Sequence, residues 1–174
     1  MQVIMVRHGE PRYDEVTERG QTGLGGDYGR LTEKGEAQAL SVASHPLFKG
    51  ATLIVSSPYT RALQTAATIS RISNIPLTVE HDLHEWMNDT AFIFDYPISD
   101  SHRAYSQNKG VQVPGSPYRY ETYAHLRTRV LNAIAKHKNH DKIIVVFHGM
   151  AMSSLTHVDD TFEHCGVRLV ELNF

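Results

Sequence analysis

A single cysteine, Cys165, stands in the 174-residue chain, so no internal disulfide can form and no thiolate cluster can hold a metal. No apolar run approaches the roughly 20 residues that a membrane helix needs. The opening MQVIMVRHGE has neither the basic region nor the apolar stretch of a secretory signal. These absences set the expectation of a cytoplasmic protein with no membrane partner. An excess of either charge is also missing: 17 Lys and Arg face 19 Asp and Glu, a net charge of -2. No general field attracts nucleic acid, and any anion site must be local. The length suits one domain, 1–174, with an enclosed core.

Histidine is abundant, with 11 in the chain, yet His81 and His84 lack HExxH spacing, so no metal is expected. Glycines cluster from Gly20 to Gly29, but Tyr28 stands where a dinucleotide fingerprint needs its third glycine, and no GK[ST] occurs. No cofactor is expected, and the run reads as a mobile loop beside a site.

Gln2 to Val6 is a short apolar run that reads as a buried strand, with His8 just past its C-terminal end. Thr32 precedes Ala37, Leu40, Ala43 and Leu47 at helical spacing, and Pro46 marks the expected stop. Leu53 to Val55 predicts a second strand, running through Ser56, Ser57 and Pro58 into a helix with Ala62, Leu63, Ala66, Ala67 and Ile69 on one face. Leu77 to Val79 suggests a third strand, and Tyr123, Leu126, Val130 and Ile134 an amphipathic helix. Ile143 to Phe147 is the clearest strand; a helix through Leu155 should follow, then a last strand from Val167 to Leu172. Alternating strands and helices predict a three-layer α/β/α sandwich with a mostly parallel central sheet. Trp86 to Glu121 breaks the rhythm, with Pro97, Pro114 and Pro117 and no clean period, and reads as a lid insertion. Its Trp86, Met87, Phe92, Phe94 and Tyr96 either line a ligand or form the lid's own core.

Arg7 and His8, the turn from Ser57 to Arg61, and His148 each follow the C-terminal end of a predicted strand, where open α/β sheets place their crevice. Guanidinium forks suit phosphoryl oxygens, whose charge grows during transfer. A neutral imidazole can be the nucleophile, and nearby arginines favour that form by repelling a second proton. A carboxyl group of raised pKa would protonate the leaving oxygen.

These residues carry a resemblance. Arg7-His8-Gly9-Glu10, Leu31-Thr32 with Gly35 and Gln38-Ala39, Ser56-Ser57-Pro58 with Arg61-Ala62 and Gln64-Thr65-Ala66, and His148-Gly149 resemble, in order, the motifs of the histidine phosphatase superfamily, also called phosphoglycerate mutase-like. Lesser similarities are Leu83 with Glu85, Glu121 eight residues before Arg129, and Cys165-Gly166. The resemblance implies a phosphomonoester hydrolase in which His8 carries the phosphoryl group without metal or cofactor. Arg7, Arg61 and His148, with Gly149, would complete the phosphate pocket, and Glu85 would be the proton donor. Glu10, Asp82 and Asp89 stand in for Glu85 if it points elsewhere. Asp14 occupies the substrate-side position where mutases have asparagine. The expected partner is a small phosphorylated metabolite, with a phosphoprotein as a further option. A mutase and a non-catalytic phosphate- or phosphoprotein-binding module are the other readings. Cys165 lacks the CxxxxxR loop of cysteine phosphatases and reads as buried.

Overall fold

The structure, a computed structural model, describes residues 1–174. Five strands, β1 (Gln2–Arg7), β2 (Leu53–Ser56), β3 (Leu77–Val79), β4 (Lys142–Phe147) and β5 (Val167–Glu171), form one sheet in the order β3-β2-β4-β1-β5. All neighbours are parallel except β5, which runs antiparallel to β1 at the edge. The helices are α1 (Asp14–Glu18), α2 (Glu33–Val42), α3 (Thr60–Ser73), α4 (Ile98–Gln107), α5 (Tyr123–Ala135) and α6 (Gly149–Ser153).

The central strands are apolar throughout because both faces are covered. Ile4, Val6, Ile54, Ile144 and Val146 pack with Ala62, Ala66 and Ile69 of α3 and Val42 of α2. The alternate residues Val3, Met5, Val55, Ile143, Val145 and Phe147 pack with Leu126, Val130 and Ile134 of α5 and Ala151 and Met152 of α6. Two cores on two faces make the three layers.

Helix starts follow from local chemistry. Thr32 accepts from the Gly35 amide at 2.9 Å, and Thr122 from that of His125 at 3.2 Å, each capping a helix. Asn74 ends α3 in the left-handed region at φ 57°.

Two expectations need correction. Helix α2 buries Gly35, Ala39 and Val42, not the stripe through Ala37 and Leu40, both of which are exposed, and it ends before Pro46. Its bearing is set by Gly35, whose backbone lies on Glu10: a Cβ there would sit 2.2 Å from the Glu10 carbonyl oxygen. Second, the segment from Trp86 to Glu121 holds the unforeseen helix α4, and Trp86, Tyr105 and Tyr120 join the core on the α5 face. The buried Asp89 accepts two bonds from Arg119, at 3.0 and 2.8 Å, tying the ends of the segment together. Elsewhere, no helix is long and apolar enough to cross a membrane.

Candidate active site

Adjacent strands β2, β4 and β1 end together, and the chain then delivers one functional group from each. The His8 amide donates to the Phe147 carbonyl (3.0 Å) and the Ser57 amide to that of Val146 (2.9 Å), so the ladder sets the spacing of His8, His148 and Ser57. The His8 and His148 rings meet edge to face at 5.2 Å. The loop after His8 is drawn in by Thr65, which accepts from the Gly9 amide at 3.0 Å. Only glycine fits at position 9, since a Cβ would lie 2.5 Å from the Gly35 carbonyl oxygen.

His8 is 4% exposed, and its Nδ1 lies 2.7 Å from the Gly9 carbonyl oxygen. A carbonyl only accepts, so Nδ1 carries the proton and Nε2 presents its lone pair. Arg61 Nε approaches that Nε2 at 3.3 Å. Burial first, then the Arg61 charge, pull the His8 pKa down to about 3. The ring is neutral at any physiological pH.

His148 is fully buried, with Nε2 2.7 Å from Ser57 Oγ. Nε2 is the one acceptor that the Ser57 hydroxyl meets, its other partner being the Tyr59 amide at 3.3 Å, so the hydroxyl donates to Nε2 and neutral His148 carries its proton on Nδ1. His148 Nδ1 and Arg7 Nε are buried with no protein partner. Such orphans cost about 1–3 kcal/mol each. Arg7 also donates to the Phe162 carbonyl, and Gly149 passes it closely, a Cβ there falling 3.6 Å from Nε. Arg61, 3% exposed, runs between Tyr13 and Tyr59, 5.8 and 5.1 Å from the ring centroids. Its Nη1 and Nη2 donate to the Asp27 carbonyl and carboxylate at 3.2 and 3.1 Å.

Glu85 accepts from the amides of Trp86 (2.8 Å), Ala151 (3.1 Å) and Met150 (3.4 Å). Burial raises its pKa against the pull of those amides and of Arg61. With His8, Arg7 and Arg61 it lines a cavity of about 900 Å³. The other carboxylates are engaged: Glu10 by Lys34 at 2.7 Å, Asp82 by Lys136 at 3.2 Å and Asp89 by Arg119 at 2.8 Å. Asp14 does not face the cavity. Its half-exposed carboxylate pairs with Arg12, which holds its pKa down at about 2. Cys165 is half-buried and its thiol is pushed up to about 12, leaving no thiolate.

The glycine-rich segment contributes more than the loop expected of it. It forms a 3-10 turn, Gly23–Tyr28, in the cavity wall and supplies Asp27. Ser57 and Thr65 lay inside recognisable motifs, whereas Asp27 and His164, whose ring is 5.7 Å from that of His8, had no sequence signal. No group of three or more His, Cys, Asp or Glu side chains is arranged to hold a metal ion.

The neutral, buried His8 links stability to pH. Above the unfolded value of 6.5, folded and unfolded chains both hold it neutral and stability is whole. As pH falls towards 3, the unfolded chain takes a proton that folded His8 refuses, at about 1.4 kcal/mol per pH unit. Urea unfolding is therefore expected to show a loss of about 2 kcal/mol from this residue between neutrality and pH 5, with His148 adding in the same direction. His8→Asn should show a smaller drop; equal drops would mean that folded His8 protonates freely.

Comparisons with known proteins agree with this geometry. A search of curated protein sequences finds no significant match. Among solved structures, Bacillus stearothermophilus YhfR superposes with a TM-score of 0.73 at 22% identity, covering 99% of this chain and 91% of that one. A mycobacterial glucosyl-3-phosphoglycerate phosphatase complexed with VO3 gives 0.71 at 20% identity, over 99% and 92%. An Escherichia coli protein proposed to be an alpha-ribazole-5'-P phosphatase gives 0.67 at 18%, over 99% and 91%. At these identities the likeness is one of fold. With the profile of the histidine phosphatase superfamily (branch 1) matching residues 3–159, the chain belongs to that superfamily, and its activity is that of a phosphatase acting through a histidine.

Proposed function

We propose that the protein hydrolyses the monophosphate ester of a small, uncharged alcohol or phenol, without a metal ion. The observation that carries this reading is His8: neutral by burial, its Nδ1 bound to Gly9, its Nε2 unprotonated and accepting from Arg61 Nε at 3.3 Å. The substrate phosphate lies between Arg7, Arg61 and the Nδ1–H of His148. His8 Nε2 attacks phosphorus as the bond to the leaving oxygen breaks, and Glu85 gives that oxygen its proton. The Glu85 carboxylate then takes a proton from water, which attacks the phosphohistidine, releasing phosphate and neutral His8.

The cavity wall supports the choice of leaving group. Beyond the phosphate side it carries Tyr13, Trp86, Phe94, Tyr96, Ile98 and Asn88, with His102 its one ionisable base. No lysine or further arginine waits for a second anionic group, as a phosphoglycerate mutase would require. The walls raised by residues 13–27 and 94–102 favour a small molecule over the phosphorylated side chain of a folded protein. The similar mycobacterial enzyme, a glucosyl-3-phosphoglycerate phosphatase, is a precedent for a metabolite substrate on this fold.

The test is a substrate panel with chelator present. Neutral aryl and alkyl phosphates are expected to exceed 3-phosphoglycerate in kcat/KM by about tenfold or more, since no cation on the leaving-group side offsets the desolvation of its carboxylate. Comparable values would remove the uncharged-leaving-group reading, and conversion of 3-phosphoglycerate to its isomer would establish a mutase.

A further inference from the structure

Asp27 has no part in the reaction above, yet it occupies the guanidinium that the reaction needs. Its carbonyl and its carboxylate each take one N–H from a terminal nitrogen of Arg61, while Nε faces His8. Two terminal N–H groups remain, but a carboxylate held on the guanidinium offsets its charge and repels an incoming dianion. Asp27 is a lining residue of the same cavity, so its carboxylate lies where an anion would be drawn.

The segment carrying it is lightly held. Gly20 and Gly23 sit at φ 65° and 58°, and a Cβ on Gly20 or Gly26 would meet nothing within 4 Å. Apart from the bonds of Asp27 to Arg61 and to the Tyr59 phenol, no hydrogen bond ties residues 22–29 to the rest of the chain. Gly23 rests on the Phe94 ring, an apolar contact with no direction to lose.

We propose that Asp27 competes with the substrate's phosphate for Arg61, so that phosphate enters only as the Gly20–Gly29 segment lifts this carboxylate away. The inference rests on Arg61 being a phosphate ligand. In the empty pocket Asp27 offsets the charge of a buried guanidinium, which would otherwise lie uncompensated. When phosphate arrives, the freed carboxylate moves to solvent.

The competition depends on pH. Arg61 and the Tyr59 phenol face Asp27 directly; Tyr13, Glu85 and His84 are the other ionisable groups around the pair. Burial raises the Asp27 pKa above the ordinary aspartate range. As pH falls through that raised value, Asp27 loses its charge and releases Arg61, so anion binding strengthens towards acid.

Sulfate is the probe, because it remains a dianion from neutrality to mild acid. Calorimetric titration of the full chain should show Asp27→Asn binding sulfate about tenfold more tightly than wild type near neutrality, with the gap closing in acid as wild type strengthens. Equal or weaker binding by Asp27→Asn near neutrality would overturn the proposal and make Asp27 a residue that holds Arg61 in its binding pose. If that variant does not fold, Asp27→Ser carries the same comparison. Wild-type affinity that stays flat towards acid also overturns it. Arg61→Gln binding sulfate as well as wild type would instead indict the phosphate pocket itself.

Discussion

His8→Ala is expected to lower kcat by about 10⁴-fold or more, with p-nitrophenyl phosphate as substrate and chelator present. No other group is placed to replace the imidazole. His148 Nε2 is taken by Ser57, and the Cys165 thiol, at about 12, carries no thiolate. Brief reaction with a ³²P-labelled substrate, quenched in base, should leave label on the wild-type chain and none on the variant, as an acid-labile, base-stable phosphohistidine requires. Turnover within tenfold of wild type, or label persisting on His8→Ala, would mean that water attacks directly or that another residue carries the phosphoryl group.

Glu85→Gln is expected to divide substrates by leaving group. An alkoxide cannot leave unprotonated, so alkyl phosphates should lose about 10²–10⁴-fold in kcat. Nitrophenolate leaves unaided, and p-nitrophenyl phosphate should lose far less in its first step. The pH profile follows from the raised Glu85 pKa: wild-type rates on alkyl phosphates fall as pH rises through it, and the glutamine variant lacks that limb. Equal losses on both substrate types would assign Glu85 to binding instead of proton transfer. Glutamine keeps the size of the side chain and can still accept from the amides of Trp86 and Ala151, so the loop should hold its course.

The two predictions draw on residues whose place was legible from sequence alone. His8, Ser57 and His148 follow short apolar runs, and such runs report strands buried on both faces; parallel strands then carry whatever follows them to one edge of the sheet. Helix α2 shows the limit of the method. Its buried stripe runs through Gly35 and Ala39, residues too small to register as hydrophobic, so Ala37 and Leu40 mimicked a core face. Helix α4 escaped for a related reason, since it buries only Ser101 and Tyr105 and is polar elsewhere. Asp14 was drawn to the substrate side by its position in a motif, but Arg12 two residues away holds it outside. Asp27 meets Arg61, 34 positions further along the chain, and a glycine-rich loop carries no periodicity from which such a meeting can be read.

Arg129 gives the molecule a further property. Its guanidinium spans the buried Glu121 carboxylate, at 2.8 Å from both Nε and Nη2, and the carbonyls of Asp82 and His84, at 2.6 and 3.0 Å from Nη1. One side chain thus fastens the stem that presents Glu85 to the far end of the segment that walls the leaving-group side. In the proposed reading phosphate chemistry comes from strand ends and leaving-group selection from loops, a division that invites exchange of one substrate appetite for another by transplanting residues 86–121. The clasp sets the terms of that surgery. A graft that brings its own aromatic wall but omits an acid opposite Arg129 would unhook the proton donor from the barrier it serves, so new selectivity has to be inherited together with the carboxylate that moors it.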